Sequence, residues 1–391
     1  MGDIDFGLVQ KTFLNIIRKS INADYKNETL NFVLNDDEKK ALFDLSDKHD
    51  LAHYLAIGID KYERFFDEKL SKKIKKAYYL SIIRYEQLHF DYEQIKKTFN
   101  KEKISFVPLK GAIVRKYYDE PWYRTSCDID ILICEKDLEK AINALIEHNH
   151  FRTDNKTNYH DISLFSPSNM HLELHFNILE AQDNIDKLLT KVWDYVELKE
   201  DGLYEYNQTP EFLIFHMVSH LLYHFLNGGC GVRTIMDLWL IHKKLLFNKT
   251  ILYSYLDECG IVKFYESIIE LANVWFNCEE YTEKTQKMEQ FILSGGVYGN
   301  LENRMKIVGT NVDDKRKYAL KRIFCSYKIM KNRYPILRKH KWLLPIYEIV
   351  RWCETIFAGK SKKLKKEIEM LERSSNIEKD DFKNFLTEIG L

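Results

Sequence analysis

Asp128 and Asp130 stand one residue apart in TSCDIDILI, an otherwise apolar run. In a strand, side chains two residues apart leave on the same side. Both carboxylates therefore aim at one spot, while Ile129 and Ile131 face a core. Two carboxylates a few ångströms apart repel unless a cation lies between them. Oxygen-only donors suit Mg²⁺ or Mn²⁺. Read alone, the pair is also explained by a strand end whose acids meet water. Three neighbours argue for more. Gly111 ends the apolar run ISFVPLKG at a strand-to-helix turn, where backbone can approach a phosphate. Arg124 lies four residues before Asp128, a spacing that lets it reach a phosphate. Glu173 stands alone in the apolar strand pattern MHLELHFN and offers a third carboxylate from a neighbouring strand.

Other groups were weighed against that set. His171 and His175 flank Glu173 at two-residue spacing, so all three share a face. His175 is expected to touch a phosphate or orient Glu173; His171 reads more simply as a polar strand face. His216, His220 and His224 recur every four residues and line one helix face. They lack the Glu of an HExxH zinc site and a nearby Cys, so structural or cleft-lining roles are expected. Arg233 and Asp237, four apart on a helix, are expected to pair. A second GDID, at Gly2 to Asp5, has no preceding strand and is assigned no function. SGGVYG (294–299) follows no strand and precedes no GK[ST], so it reads as a helix-ending turn rather than a phosphate loop. Cys127 has no evident base partner and is not proposed as a nucleophile.

These groups must be positioned by a chain of 391 residues, long enough for two or three domains. Residues 1–100 read as an N-terminal helical region, clearest from Leu70 to Asn100, where Ile74, Tyr78, Ile82, Tyr85, Leu88, Tyr92, Ile95 and Phe99 step by three or four. Asn35 or Asp36 is a natural cap for an earlier helix. Residues 101–207 alternate strands and helices: ISFVPLKG, then AIVRKYYDE as helix, DIDILIC, EKDLEKAINALIEHN as helix, YHDISLFS and MHLELHFN, and a hairpin around Asp201-Gly202. Residues 208–391 return to helix after the start signal Thr209-Pro210-Glu211, with breaks at 227–231, 294–299 and 333–337. The Lys cluster in GKSKKLKKEIEMLERSS reads as a solvated helix face.

With 59 Lys plus Arg against 59 Asp plus Glu, the chain lacks the positive field that bulk nucleic-acid binding needs. The seven cysteines form no CxxC pair and read as buried thiols of a reducing compartment. The N-terminus lacks a signal-peptide pattern, and no window has membrane-spanning length. A cytoplasmic location is expected.

The ordered set of glycine turn, Arg124, DxD strand and later acidic strand resembles the nucleotidyltransferase superfamily of the DNA polymerase β type. The stretch LKGAIVRKYYDEPWYRTSCDIDILI, then HLELHFN, FHMVSHLLYH and GVRTIMDLW, looks like a bacterial group of uncharacterised nucleotidyltransferases. The likeness spans about residues 100–240. It implies an α/β (α+β) fold: a mixed-sheet nucleotidyltransferase core between helical regions. It also implies that Asp128, Asp130 and Glu173 bind Mg²⁺ (or Mn²⁺) and that an acceptor hydroxyl attacks the α-phosphorus of an NTP, ATP being favoured. Pyrophosphate leaves, and Glu173 is placed to take the proton. Lys110, Gly111, Arg124 and His175 are the implied phosphate contacts. One departure stands out: where the superfamily has Gly-Ser, this chain has Lys110-Gly111-Ala112. Lys110 or backbone amides would replace the missing hydroxyl. A small-molecule acceptor is expected, with a tRNA or protein acceptor, or a binding module without turnover, as alternatives.

Overall fold

The computed structural model describes residues 4–157, 160–180, 182–200, 202–310, 318, 320, 323–357, 361–373 and 376–391. Five strands carry the centre: β1 (Phe106–Pro108), β2 (Asp128–Ile133), β3 (Arg152–Thr157), β4 (Asp161–Phe165) and β5 (His171–His175). They form one sheet in the order β1-β2-β5-β4-β3. Only β2 and β5 run parallel; the other neighbours are antiparallel, so the sheet is mixed. A second ribbon pairs β6 (Val196–Leu198) with β7 (Tyr206–Gln208), as the expected hairpin requires; Asp201 lies outside the described residues.

The N-terminal helices are α1 (Phe6–Ile21), α2 (Asp36–Lys48), α3 (Tyr54–Gly58), α4 (Tyr62–Phe65) and α5 (Glu68–Lys101). The sheet region adds α6 (Gly111–Val114), α7 (Leu138–Asn149) and α8 (Asp183–Leu189). Then come α9 (Pro210–Leu226), α10 (Val232–Lys244), α11 (Lys249–Glu258), α12 (Val262–Asn277), α13 (Glu283–Gly295) and α14 (Leu301–Thr310). Further helices occupy 327–333, 344–357, 361–373 and 376–388. The start signals act locally as their chemistry dictates. Asn35 and Glu38 close a capping box on α2, and Pro210 opens α9. Asp5 of the GDID stretch caps α1 through Leu8 N at 3.0 Å; Gly2 and Asp3 lie outside the described residues.

Two expectations need correction. AIVRKYYDE is not one helix: α6 stops at Val114, a 3₁₀ turn follows at Arg115–Tyr117, and Tyr118 is extended. The buried tyrosines Tyr117 and Tyr118 anchor the chain against the protein interior, and Pro121 follows. Strand β3 has no counterpart in the sequence reading. Its residues, RTDNKT, carry no apolar alternation, and an edge strand needs none.

Two hydrophobic clusters hold the elements together. One joins the C-terminal half of α5 (Leu88, Ile95, Phe99) and α7 to one sheet face, through Ile129, Ile131, Leu172 and Leu174. The other contains Phe13, Ile17, Leu132, Phe215, Trp275 and Ile389, so N-terminal and C-terminal helices share a core. Asn22 stitches them further by donating to the Phe276 carbonyl at 2.7 Å. The α5 stripe splits between clusters: Leu70 and Ile74 enter the second, while Tyr78, Ile82 and Tyr85 between are half-buried. Among the described residues, no helix is long and apolar enough to cross a membrane. The seven cysteines are free, but only Cys230 and Cys259 are buried; Cys127, Cys278 and Cys353 are exposed, contrary to expectation.

Candidate active site

Alternation along β2 sends Ile129 and Ile131 into the sheet core and Asp128 and Asp130 to the opposite face. Parallel β5 does the same with Leu172 and Leu174, leaving His171, Glu173 and His175 beside the aspartates. A one-residue slip would turn these four aliphatic side chains out, at about 1.5–3 kcal/mol each. The register sets Asp130 abreast of Glu173 and Asp128 abreast of His171. Donor atoms of Asp128, His171 and Glu173 lie within 4.8 Å of one another, as do those of Asp130, Glu173 and His175.

Each carboxylate has a different set of partners. Ser126 Oγ donates to Asp128 Oδ1 at 2.9 Å. His175 Nε2 lies 3.0 Å from Asp130 Oδ1 and 3.5 Å from Glu173 Oε2. His171 Nδ1 is 3.8 Å from Glu173, and its Nε2 is 3.0 Å from Ser163 Oγ. Lys110 Nζ lies 3.9 Å from Asp130 Oδ2. Burial disfavours the charge on Asp130, but Lys110 and the His175 hydrogen bond outweigh it and hold the carboxyl well below its usual range. Burial likewise opposes charge on His175, yet hydrogen bonds to Asp130 and Glu173 raise its pKa to about 9. Lys110 is raised in the same way: Asp130, Glu180, Glu173 and Asp128 outweigh its desolvation. Lys110 and His175 thus keep Asp130 ionised in a buried setting.

Arg124 and Gly111 stand differently from expectation. Arg124 is buried and gives Nη2 and Nε to Asp237 at 3.0 and 3.4 Å. Tyr118 Oη donates to the same carboxylate at 2.6 Å. The expected Arg233–Asp237 pair is therefore not formed. Arg233 Nη1 instead reaches Asp50 Oδ2 at 2.9 Å, with the Thr125 carbonyl at the same distance. Helical spacing allowed the pairing, but Asp237 faces the sheet loop, where a bidentate guanidinium is a stronger partner. Gly111 makes room for this junction, since a Cβ there would overlap the Arg124 guanidinium. Lys110, just before it, takes a left-handed φ of 42°, and its side chain stands beside Asp130.

Arg115 escaped the sequence reading, although it lies one helical turn after Gly111. Its Nε donates to the Gly111 carbonyl at 3.0 Å and its guanidinium lies 5.6 Å from the Tyr85 ring centre. Burial lowers its pKa to about 10, and the charges of Arg124 and Arg233 add to that. Among the described residues, no carboxylate pairs with it within ion-pair distance. Glu180 was also missed. It is buried, its pKa is raised by desolvation despite Lys110, and its Oε1 meets His220 Nδ1 at 2.8 Å. His224 Nε2 meets His220 Nε2 at 3.0 Å, and His216 meets the Gln208 side chain. His220 and His224 are half-buried, whereas His216 is fully buried and its Nε2 has no hydrogen-bond partner among the described residues. His160, just before β4, forms a further close group with Asp161 and His175. None of these carries a local motif; all are named by the pairing of distant segments.

A family model described as an uncharacterised nucleotidyltransferase matches residues 35–277, well over half of the chain. No curated protein and no solved structure matches it.

Proposed function

The chain belongs to this nucleotidyltransferase family, and from that premise we propose that it transfers a nucleoside monophosphate from an NTP, ATP favoured, to the hydroxyl of a small molecule. The observation that supports this most is the β2–β5 register, which sets Asp130 beside Glu173 with Asp128 on the same face. Asp128, Asp130 and Glu173 would hold Mg²⁺ or Mn²⁺: Glu173 closes one donor group with Asp128 and His171 and another with Asp130 and His175, and two of the three carboxylates are half-exposed and open to a ligand. The ion, when bound, would neutralise phosphate charge and make the acceptor hydroxyl more acidic.

The chain's own residues supply the rest. Lys110 stands where it can contact both Asp130 and an incoming phosphate. Arg115 takes over the phosphate-neutralising part expected of Arg124, because its charge is not matched by a carboxylate while that of Arg124 is. Ser126 holds Asp128 by a hydrogen bond, and its Oγ also lies beside the Gly111 turn, so a hydroxyl stands there despite Ala112. His175 keeps Asp130 and Glu173 oriented. Glu173, the more exposed acid of that pair, takes the proton as the acceptor oxygen bonds to the α-phosphorus and pyrophosphate departs.

Labelled NTP with Mg²⁺ or Mn²⁺, offered a panel of hydroxylated acceptors, tests the reading through pyrophosphate release and transfer of label. Asp128→Asn should abolish both. Tight binding of NTP with no pyrophosphate release under any acceptor would make the chain a nucleotide-binding module instead. Full activity in the Asp128→Asn protein would refute the assignment of the site.

A further inference from the structure

The two glycine-rich breaks, 227–231 and 294–299, have no part in the chemistry above, yet they pack on each other. Gly299, at φ 72°, lies so close to Gly228 that a Cβ would overlap the Gly228 carbonyl. Asn300 N donates to that same carbonyl at 3.1 Å. Asn303, buried, donates its amide to the Phe291 carbonyl at 2.8 Å and ties the start of α14 to the end of α13. Backbone-to-backbone packing of this kind leaves little freedom to the residue at the tip, Tyr298.

Tyr298 is 72% exposed although its neighbours are held in place. Its ring centre lies 6.3 Å from that of His224, on α9. Burial raises the pKa of its hydroxyl, and the charge of Asp128 raises it next. A large exposed aromatic side chain thus stands next to His224 and within the field of Asp128, the more exposed of the two β2 aspartates. We propose that Tyr298 is the platform on which the base of the bound nucleotide stacks. This rests on the transferase reading given above. Phosphates drawn to Lys110, which stands beside Asp130, with the α-phosphate at the carboxylates, leave the nucleoside to extend outward past Asp128. A rigidly mounted, solvent-facing ring at that exit meets a flat base with little ordering cost, and stacking tolerates any base.

The test compares Mg·ATP with Mg·tripolyphosphate, which has the phosphates and lacks the base, by calorimetric titration of the full chain. Tyr298→Ala should weaken Mg·ATP about tenfold, the scale of one base–aromatic stack, and leave tripolyphosphate unchanged. Tyr298→Trp should retain the affinity for ATP. Unchanged ATP affinity in Tyr298→Ala, or an equal loss for both ligands, overturns the platform. A wild-type chain that binds tripolyphosphate as tightly as ATP also overturns it, while the transferase reading stands. A wild-type chain that binds neither ligand overturns both.

Discussion

Asp130 on β2 and Asp237 on α10 are both buried aspartates facing cations. Asp237 receives two guanidinium nitrogens of Arg124 and the Tyr118 hydroxyl, and these match its charge completely. Asp50 and Arg233 repeat the theme nearby, tying α10 and the N-terminal region to Thr125. Asp130 is different. It shares a face with Asp128 and Glu173, and its cations, Lys110 at 3.9 Å and His175, serve several acids at once. One cluster is a closed junction that holds the lobes around the sheet. The other retains an excess of carboxylate oxygen towards a cleft. Both look alike as sequence: single acids and bases whose partners lie far along the chain. What separates scaffold from site is whether each charge has its own partner.

Substitutions should separate the two clusters. Asp128→Asn should lower Mg²⁺-dependent transfer about 10³-fold or more, with the urea midpoint unchanged. A large loss of stability instead would make Asp128 part of the scaffold. Asp237→Ala leaves a guanidinium buried without its partner and should cost about 3–5 kcal/mol of stability in urea unfolding. If it unfolds normally but cannot bind nucleotide, the contrast drawn here is reversed. Arg115→Met should weaken Mg·ATP by about 1.5–3 kcal/mol, the worth of a charged hydrogen bond, with little change in stability. Arg124→Met should do the opposite.

The last expected effect is a pH slope. His49 and His53 are buried, donate to the Leu293 and Tyr123 carbonyls, and have pKa values lowered by desolvation to about 4. They stay neutral when folded and titrate near 6.5 when unfolded, so below that pH the unfolded chain binds more protons. The stability these two rings contribute is therefore complete above about pH 6.5 and falls as the pH drops towards 4, by about 1.4 kcal/mol per pH unit for each histidine. Urea midpoints between pH 7 and 4.5 measure this, and His53→Gln should flatten the slope. A flat profile in the wild type would mean that these rings are already accessible.

Much of the frame was legible beforehand, for reasons that lie along the chain. Asn35, Pro210 and the α5 stripe from Ile74 to Phe99 act within a turn or two of themselves. Alternation in DIDIL put both aspartates on one face with no knowledge of the partner strand. The misses share a cause. The polar edge strand at 152–157 is held by backbone bonds to β4, which leave no mark on side-chain pattern. Arg115 and Glu180 were silent because a lone basic or acidic residue means nothing until its distant neighbours are known.

The sequence by itself determined which side chains share a face, where helices begin, and that three acids with hard-ion chemistry lie on two strands. Those follow from the fixed geometry of a strand or a helix. Only the tertiary structure decided that β5 lies parallel beside β2 in this register, that Arg124 answers to Asp237 while Arg233 answers to Asp50, and that Tyr298 stands next to His224. Such partnerships join residues tens to hundreds of positions apart. They are chosen by packing and by competition among charges in a desolvated interior, which no local pattern encodes.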